Sequence, residues 1–305
     1  MPSPRIAVVP RGVDWVESAV ESGGGTLVDP AQADALVWMA AWSDEGLNDA
    51  LGAGPDIRWV QLPLAGVEGF AGTGRFGDGR TWTCAKGVYA EPVAEHALAL
   101  ALAGMRNVAG SARATSWARP TGRLLHGRDV CIVGGGGITE ALLRLLAPFG
   151  TRNVVVRRSH EALPGADRTV TPEHLLDAIG MADLVVLALA LTPETEGLIG
   201  AAQLGAMRPE AWLVNVARGR HIRTDDLVDA LARTAIGGAA LDVTDPEPLP
   251  DGHPLWSLPN CIITPHAANT PAMAVAPLSE RIRQNVARFG RGEELIGLID
   301  PVLGY

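Results

Sequence analysis

The sequence predicts an α/β fold with parallel sheets, and two observations support this prediction. Short apolar segments, most of them β-branched, recur along the 305 residues, and segments with helical patterns lie between most of them. The apolar segments are nearly continuous instead of alternating with polar residues, which is typical of parallel strands covered on both faces. Because 47% of the residues are hydrophobic and 19% are charged, the chain can bury a sizeable core, as one large domain or two ordinary ones.

The first part of the chain, residues 1–89, has the pattern of a small parallel sheet. Its strand-like segments are "RIAVV", "ADALVWMA" and "IRWVQLPLAG". A long alanine-rich helix follows at 90–108 and is apolar on nearly every side. A helix of this kind is buried, so we expect it to lie between domains or against a partner subunit.

The central part of the chain carries the clearer strand pattern. Its predicted strands are "DVCIVG", "NVVV", "DLVVLALA", "AWLVNVA", "IGGAALDV" and "CIITPH". Helical patterns such as "TEALLRLLAPFG" and "RTDDLVDALART" separate most of them, so a second parallel sheet is expected here. A last helix is predicted at 276–292, and it would return to the first domain.

Charge and cysteine content restrict the function. A net charge of −9 disfavours nucleic acid and anionic membrane as partners, so any bound anion needs a local cluster of cations. The three cysteines, Cys84, Cys131 and Cys261, have neither a disulfide nor a zinc spacing, which fits a reducing cytoplasm, and no metal site is predicted. The apolar run at the start is too short for a secretion signal, and no stretch approaches the length of a membrane span.

A glycine-rich turn lies between the first central strand and the helix that follows it. Gly134 and Gly136 match the first two glycines of a dinucleotide-binding fingerprint, where the first permits a tight turn and the second lets a pyrophosphate approach the backbone. The pyrophosphate would then sit at the helix N-terminus, at Gly137 and Ile138. Thr139 occupies the third glycine position, where its larger side chain is expected to shift the helix slightly. An ordinary tight turn is the alternative, but the strand–turn–helix context favours the nucleotide site.

The next predicted strand ends in two arginines. Arg157 lies 18 positions after Thr139, where an NAD-preferring site usually has an acidic residue that accepts hydrogen bonds from the ribose. A guanidinium cannot accept these bonds, but it pairs well with a 2′-phosphate. Arg157, Arg158 and the hydroxyl of Ser159 therefore predict a clamp for the extra phosphate of NADP, against the alternative of two solvated surface cations.

Three further predicted strands are followed by residues suited to the reduction of a carbonyl group. Arg218, Glu247 and His266 follow successive strands, whose carboxyl ends border the ligand crevice in an open parallel sheet. An arginine can hold a carboxylate and polarise a neighbouring carbonyl. A histidine can donate a proton near neutral pH, and a carboxylate beside it orients the ring and favours the imidazolium. Each residue taken singly has a structural alternative, and spacing alone does not show that Glu247 and His266 touch.

Ordered matches over most of the chain resemble the D-isomer-specific 2-hydroxyacid dehydrogenases. The matching segments are "LPLAGVEGF", "KGVYAEPVAEHALAL", the glycine turn, "LALTPETEGLIG", "LVNVARG", "ALDVTDPEPLP", "HPLWSLPNCIITPH" and "IDPVLGY". The resemblance implies an oxidoreductase that reduces 2-keto acids or oxidises D-2-hydroxy acids with NAD(H) or NADP(H). It also implies two Rossmann-like or flavodoxin-like, doubly wound parallel-sheet domains with a cleft between them. The substrate domain would comprise 1–89 plus 271–305, and the dinucleotide-binding domain 90–270.

The resemblance also implies roles for individual residues. Arg218 resembles the arginine that orients the substrate, His266 the acid/base histidine that contacts it, and Glu247 the partner of that histidine. Asp242 resembles the aspartate near the nicotinamide carboxamide. Further matching positions are the substrate-carboxylate loop of Ala65, Gly66 and Val67 and the cofactor-lining residues Thr192, Pro193 and Ala217. The helix at 90–108 resembles the dimerising element, which implies a homodimer.

The chain departs from the family pattern at positions that bear on specificity. Arg157 replaces the usual acidic residue, and the family's NADP-preferring reductases often carry basic residues there. Cys84 stands where many relatives have a polar residue, and Thr244 where an aromatic one is common. We therefore expect a cytoplasmic NADPH-dependent reductase of the glyoxylate/hydroxypyruvate type. The alternatives are an NAD-dependent D-phosphoglycerate or D-lactate dehydrogenase and a nucleotide-sensing binding protein without turnover.

Overall fold

The chain divides into two compact units in a computed structural model that describes residues 3–40, 45–71, 74–117 and 119–301. Unit 1 comprises Met1–Tyr89 and Thr270–Tyr305, and unit 2 comprises Ala90–Asn269. The last four residues of the "IDPVLGY" segment lie outside the described residues. No helix in the described ranges combines the length and the apolar character that crossing a membrane requires.

Unit 1 is built on a five-stranded parallel sheet. Its strands in chain order are β1 (Arg5–Val9), β2 (Thr26–Leu27), β3 (Ala35–Trp38), β4 (Trp59–Gln61) and β5 (Thr81–Thr83). They are arranged in the sheet as β2-β1-β3-β4-β5. The helices of the first part of this unit are α1 (Asp14–Ser22), α2 (Leu47–Ala53) and α3 (Glu68–Ala71).

Unit 2 is built on a seven-stranded parallel sheet. Its strands are β6 (Asp129–Val133), β7 (Arg152–Val156), β8 (Arg168–Val170), β9 (Leu184–Leu187), β10 (Trp212–Asn215), β11 (Gly238–Leu241) and β12 (Cys261–Ile263). Its helices are α4 (Ala90–Met105), α5 (Val108–Arg113), α6 (Gly137–Leu146), α7 (Leu175–Gly180), α8 (Ala201–Ala206) and α9 (Thr224–Ala232). The strand order is β12-β11-β10-β9-β6-β7-β8, so the direction of winding reverses between β6 and β9. Ligands of open parallel sheets bind beyond the strand carboxyl ends at such a reversal.

The prediction of two parallel α/β sheets is confirmed. The strands that the sequence reading did not identify are β2, β5 and β8, which have two or three residues each and read "TL", "TWT" and "RTV". Segments this short, with polar residues in them, give no periodic signal. Each of the three lies at an edge of its sheet.

Helix α4 is buried on one face within the chain. It ends at Met105, and its residues Glu91, Glu95 and Ala99 are exposed. The opposite face packs against α6, β10 and β11 of unit 2, and a Cβ atom on Gly104 would lie only 2.2 Å from the ring of Trp212. The helix therefore has one closely packed face within the chain, and its position between domains or against a partner subunit stays a prediction.

The final helix, α10 (Pro271–Arg291), belongs to unit 1. It begins five residues before the predicted start at 276, because the hydroxyl of Thr270 caps it by accepting a hydrogen bond from the Met273 N–H at 3.4 Å. Its buried residues Leu278, Ile282 and Val286 join the core between α10, α1 and the first sheet. The carboxyl-terminal segment thus completes the core of unit 1.

Candidate active site

The glycine turn of unit 2 follows β6, next to the point where the winding reverses. Gly134 has a left-handed backbone with φ +114°, and a Cβ atom there would lie 2.0 Å from the carbonyl oxygen of Ala188. Gly136 differs, because nothing lies within 4 Å of the position that its Cβ would take. Helix α6 begins at Gly137, and the first N–H groups of a helix have no partner within the helix. The turn therefore offers backbone donors and open space to an anion.

Thr139, at the third fingerprint position, is fully buried in the first turn of α6. Its hydroxyl donates a hydrogen bond to the carbonyl oxygen of Gly134 at 2.9 Å. The side chain thus links the first turn of α6 to the glycine turn. The slight shift of the helix stays a prediction.

The two arginines lie directly beyond β7, beside the glycine turn. Arg157 donates its backbone N–H to Val170 at 2.9 Å, and a Cβ atom on Gly135 would meet its side chain at 2.7 Å. The hydroxyl of Ser159 accepts a hydrogen bond from the backbone of Glu161 at 3.2 Å. Arg157 therefore extends over the loop that the fingerprint assigns to the pyrophosphate.

The loop after β9, which contains Thr192 and Pro193, faces the same region. The Thr192 hydroxyl, followed by the backbone N–H of Glu194 itself, lowers the pKa of the Glu194 carboxyl, and the positive charge of Arg158 adds to this. The structure brings the predicted cofactor loop and the arginine pair to one end of the sheet.

A buried histidine holds this loop, and the sequence reading missed it. His221 is fully buried, with Nδ1 3.0 Å from the carbonyl oxygen of Thr195 and Nε2 3.3 Å from that of Leu189. It ends the short 3₁₀ helix Gly219–His221. The loop with Thr192 is thereby fixed to the turn that carries Arg218.

Arg218 lies between β10 and this 3₁₀ helix, in a turn held by a second residue that was missed. Asn215 is fully buried, donates to the carbonyl oxygen of Arg218 at 2.9 Å and accepts from the Ala217 N–H at 3.0 Å. A Cβ atom on Gly219 would lie 1.9 Å from the carbonyl carbon of Thr244, so this turn touches the loop after β11. The "NVARG" segment could have indicated the role of Asn215, because an asparagine side chain can hydrogen-bond the backbone of the residues that follow it and so stabilise a turn.

His266 and Glu247 are in direct contact. Nδ1 of His266 lies 2.7 Å from Oε1 of Glu247, and Oε2 is 3.3 Å from the backbone N–H of Thr244. The hydrogen bond from His266 is the main cause of the lowered pKa of Glu247. Burial of the carboxyl group opposes this lowering, whereas the positive charges of His266 and Arg218 add to it. The guanidinium, the carboxylate and the imidazole thus lie beyond the carboxyl ends of neighbouring strands, and the charges of Arg218 and His266 both act on Glu247.

His266 has a left-handed backbone with φ +51°, which is unusual for a residue other than glycine. Its N–H donates to the carbonyl oxygens of Asp242 at 2.8 Å and Thr264 at 3.0 Å. The next two amides, of Ala267 and Ala268, donate to the two carboxylate oxygens of Asp242 at 2.8 and 3.0 Å. Asp242 therefore accepts hydrogen bonds from three successive amides of the turn that carries His266, and these bonds hold the turn in place.

The Asp242 carboxyl group is almost fully buried, with 1% of its side chain exposed. Burial alone would raise its pKa, but hydrogen bonds from His96, from Thr264 and from the two amides of the turn outweigh burial and lower the pKa. Both carboxylate oxygens thus accept bonds from within unit 2. The predicted position of Asp242 beside a nicotinamide carboxamide stays a prediction.

Ala65, Gly66 and Val67 lie in unit 1, in the loop between β4 and α3. Tyr89 contacts the segment just before this loop, because its hydroxyl donates a hydrogen bond to the carbonyl oxygen of Pro63 at 2.6 Å. The buried thiol of Cys84 lies 3.8 Å from the carbonyl oxygen of Ala65, and burial raises its pKa. Cys84 therefore supports the loop in its thiol form.

Among the residues that the structure describes, no group of three or more histidine, cysteine or acidic side chains is placed to hold a metal ion. The three cysteines are buried and free.

A family model for the D-isomer specific 2-hydroxyacid dehydrogenase NAD binding domain matches residues 96–268. An uncharacterized protein from Corynebacterium melassecola is 43% identical over 256 residues, which are 82% of this chain and 84% of that protein. The human glyoxylate reductase/hydroxypyruvate reductase is 37% identical over 54% of this chain and 51% of its own length. A glyoxylate reductase of Pyrococcus furiosus is 33% identical over 68% of this chain and 65% of its own length. The match thus spans about half to two thirds of these two reductases.

Solved structures resemble the whole chain. A D-isomer specific 2-hydroxyacid dehydrogenase from Xanthobacter autotrophicus in complex with NADPH has a TM-score of 0.86 and 27% identity, and the match covers 99% of this chain and 100% of that one. An NADPH-dependent glyoxylate/hydroxypyruvate reductase from Sinorhizobium meliloti in complex with NADP and sulfate has a TM-score of 0.80 and 25% identity, with the same coverage.

Proposed function

Because the chain belongs to the D-isomer specific 2-hydroxyacid dehydrogenase family, we propose that it transfers hydride between NADP(H) and a small 2-keto acid or D-2-hydroxy acid, as glyoxylate/hydroxypyruvate reductases do. The observation that carries the proposal is the 2.7 Å contact between His266 and Glu247, with the charge of Arg218 acting on the same carboxylate. This arrangement supplies a cation for an acid substrate and a histidine held in one orientation.

The residues divide the chemistry of keto-acid reduction among them. Arg218 would bind the substrate carboxylate and polarise the ketone. The assignment of Ala65, Gly66 and Val67 to a substrate-carboxylate loop rests on the family resemblance alone. Glu247 accepts the Nδ1 proton of His266 in a hydrogen bond and stabilises the imidazolium. Nε2 of His266 would donate its proton to the ketone oxygen. A bound reduced nicotinamide would supply the hydride for the carbonyl carbon.

The cofactor proposal rests on the glycine turn and the arginines beside it. The open space at Gly136 and the first N–H groups of α6, at Gly137 and Ile138, suit a pyrophosphate. Arg157, Arg158 and Ser159 would take the 2′-phosphate. The remaining residues proposed to line the cofactor are Thr192, Pro193, Ala217 and Asp242. Structural neighbours solved with NADPH or NADP support the choice of dinucleotide.

A panel of 2-keto acids, assayed with NADPH and NADH side by side by loss of reduced-nicotinamide absorbance, tests the function. We expect turnover of glyoxylate or hydroxypyruvate with preference for NADPH. Turnover confined to other acids with NADH would indicate a D-lactate or D-phosphoglycerate type of dehydrogenase. Cofactor binding without turnover of any acid would overturn the enzyme proposal in favour of a nucleotide-sensing protein.

The cofactor clamp has its own test. Arg157→Gln should raise the KM for NADPH by about 10- to 100-fold, because a charge-assisted hydrogen bond contributes about 1.5 to 3 kcal/mol. The KM for NADH should change little. Arg233→Gln, which removes an exposed arginine directly after the end of α9, is the matched control. An equal effect of Arg157→Gln on both cofactors would contradict the clamp.

We also propose that the protein is a cytoplasmic homodimer. The free state of its three buried cysteines is compatible with a reducing compartment. On α4, Leu98 and Leu102 are only partly buried and lie beside the exposed Ala99, so the helix offers apolar surface to a second copy. Light scattering of the purified protein should give twice the chain mass, and Leu102→Glu should shift it toward the monomer.

A further inference from the structure

We propose that His96, on α4, is a positioning residue for His266 and acts through the carboxylate of Asp242. Its Nε2 lies 3.2 Å from Oδ1 of Asp242 and 3.0 Å from the hydroxyl oxygen of Thr264. His96 is remote in sequence from both residues and touches neither the cofactor turn nor the His266–Glu247 pair in the described contacts. The inference rests on the proposed function, because it assigns a role in the same site.

The donors and acceptors fix which way the bonds run. The Thr264 hydroxyl donates to Oδ1 of Asp242 at 2.6 Å, which leaves the hydroxyl oxygen able to accept. A carboxylate only accepts, so Nε2 of His96 is the donor to Asp242, and the Thr264 oxygen shares its single proton. His96 therefore carries its proton on Nε2 in this arrangement. The ring completes the set of donors around a carboxylate that has only 1% of its side chain exposed.

The consequence lies in the turn that follows Thr264. Asp242 can hold the amides of Ala267 and Ala268 only while its carboxylate keeps its own position and charge. A buried carboxylate that loses a donor is destabilised and moves toward other partners or water. The strained backbone of His266, with φ +51°, would then relax, and its ring would leave the alignment with Glu247. Small displacements of a catalytic group reduce turnover strongly while substrate binding is preserved.

The test compares two substitutions of His96. His96→Leu removes the donor, whereas the amide of His96→Gln can place an N–H close to the position of Nε2. We expect His96→Leu to lower kcat by about tenfold, with the KM for the keto acid within about twofold of wild type. His96→Gln should recover at least half of the wild-type kcat. His126→Leu, at an exposed histidine of unit 2, is the matched control.

A second measurement follows the protection of the backbone amides in the turn and does not depend on enzyme activity. Hydrogen exchange of the segment 264–270 should be faster in His96→Leu than in wild type, His96→Gln or His126→Leu, because the amides of Ala267 and Ala268 lose their protection. If His96→Leu does not fold, His96→Asn takes its place, since its shorter amide cannot reach Asp242.

The two measurements separate the failure of this inference from the failure of the proposed function. A wild-type protein that turns over no keto acid overturns the function, but the exchange comparison still reports on the link between His96 and the turn. Unchanged exchange and unchanged kcat in His96→Leu would overturn the inference alone. A His96→Gln variant as slow as His96→Leu, with unaltered exchange in both, would do the same.

Discussion

Two strands of the seven-stranded sheet lead into left-handed residues, and the two residues reach that conformation by different means. After β6, Gly134 adopts φ +114° without strain, because it has no Cβ atom. Beyond β12, His266 adopts φ +51°, which costs an ordinary residue about 1 to 2 kcal/mol. Steric exclusion requires the glycine, since a Cβ atom would overlap Ala188 at 2.0 Å.

The two residues differ in what their positions require: the position of Gly134 has no room for a side chain, whereas that of His266 carries an imidazole. At Gly134 the fold needs the absence of a side chain, so that the turn can lie against β9 and leave room beyond it. At His266 the fold holds an imidazole in a conformation that glycine would take more readily, and the bonds to Asp242 maintain it. Strain that is kept in this way indicates that the side chain is needed for function.

The largest expected effect comes from giving His266 the residue that its backbone favours. His266→Gly should lower kcat by about 100- to 10,000-fold, because the proton donor is lost. The free energy of unfolding should change little, since relief of about 1 to 2 kcal/mol of strain offsets the lost bond to Glu247. Steady-state kinetics and urea unfolding measure the two quantities. Retention of kcat within tenfold would contradict the proposed proton transfer.

The reciprocal change, Gly134→Ala, should damage the fold itself. The left-handed backbone and the 2.0 Å overlap with Ala188 predict a loss of about 2 to 5 kcal/mol in the free energy of unfolding. Gly136→Ala is the matched control, because its φ is −98° and its Cβ position is open. That variant should unfold like wild type but bind NADPH more weakly. Equal stability of Gly134→Ala and Gly136→Ala would remove the distinction between the two glycines.

Glu247→Gln tests the contact that orients the imidazole. In the wild type, the hydrogen bond from His266 holds the pKa of Glu247 below its ordinary value. The stabilisation from this pair is therefore present above the unfolded-state pKa of Glu247 and lost only as pH falls through the lowered value. Without the carboxylate, the ring of His266 loses the charged partner that orients it, so kcat should fall by about 10- to 100-fold. A kcat within twofold of wild type would show that the carboxylate does not assist the reaction.

The smallest expected effect concerns Thr139. Thr139→Val keeps the volume but loses the hydrogen bond to the Gly134 carbonyl, so the free energy of unfolding should fall by about 1 kcal/mol. Thr139→Ser, which keeps the hydroxyl, should lose less. Urea unfolding compares the pair, and a Thr139→Val variant as stable as wild type would mean that the bond to the glycine turn contributes nothing.

The parts of the site that the sequence could predict are those that follow a strand directly. Gly134, Arg157, Arg218 and His266 each lie just beyond an apolar segment, and parallel topology alone places them at one end of the sheet. Contact between Glu247 and His266 could not be read from spacing, because it depends on the path of the loop after β11.

The residues that were missed act through the tertiary structure. His96 meets Thr264 across 168 positions of sequence, and it lies on a helix where an apolar pattern dominates. His221 binds backbone carbonyl groups, which leave no trace in residue types. Local patterns identify groups that are aimed at a ligand. Local patterns do not identify the buried polar groups that orient the catalytic side chains. The hydrogen-bond partners of these buried groups are distant in sequence and come close only in the folded chain.

The placement of α10 in unit 1 has a consequence for the order in which the protein is made on the ribosome. Ala90–Asn269 is continuous in the chain, so unit 2 can complete its core while synthesis is still in progress. The strand β1 is synthesised before unit 2, but its residue Ile6 shares a core with Leu278 and Ile282, which are synthesised after unit 2. The sheet of unit 1 is therefore begun before unit 2 and completed after it, and in that interval its apolar surface lacks the cover of α10.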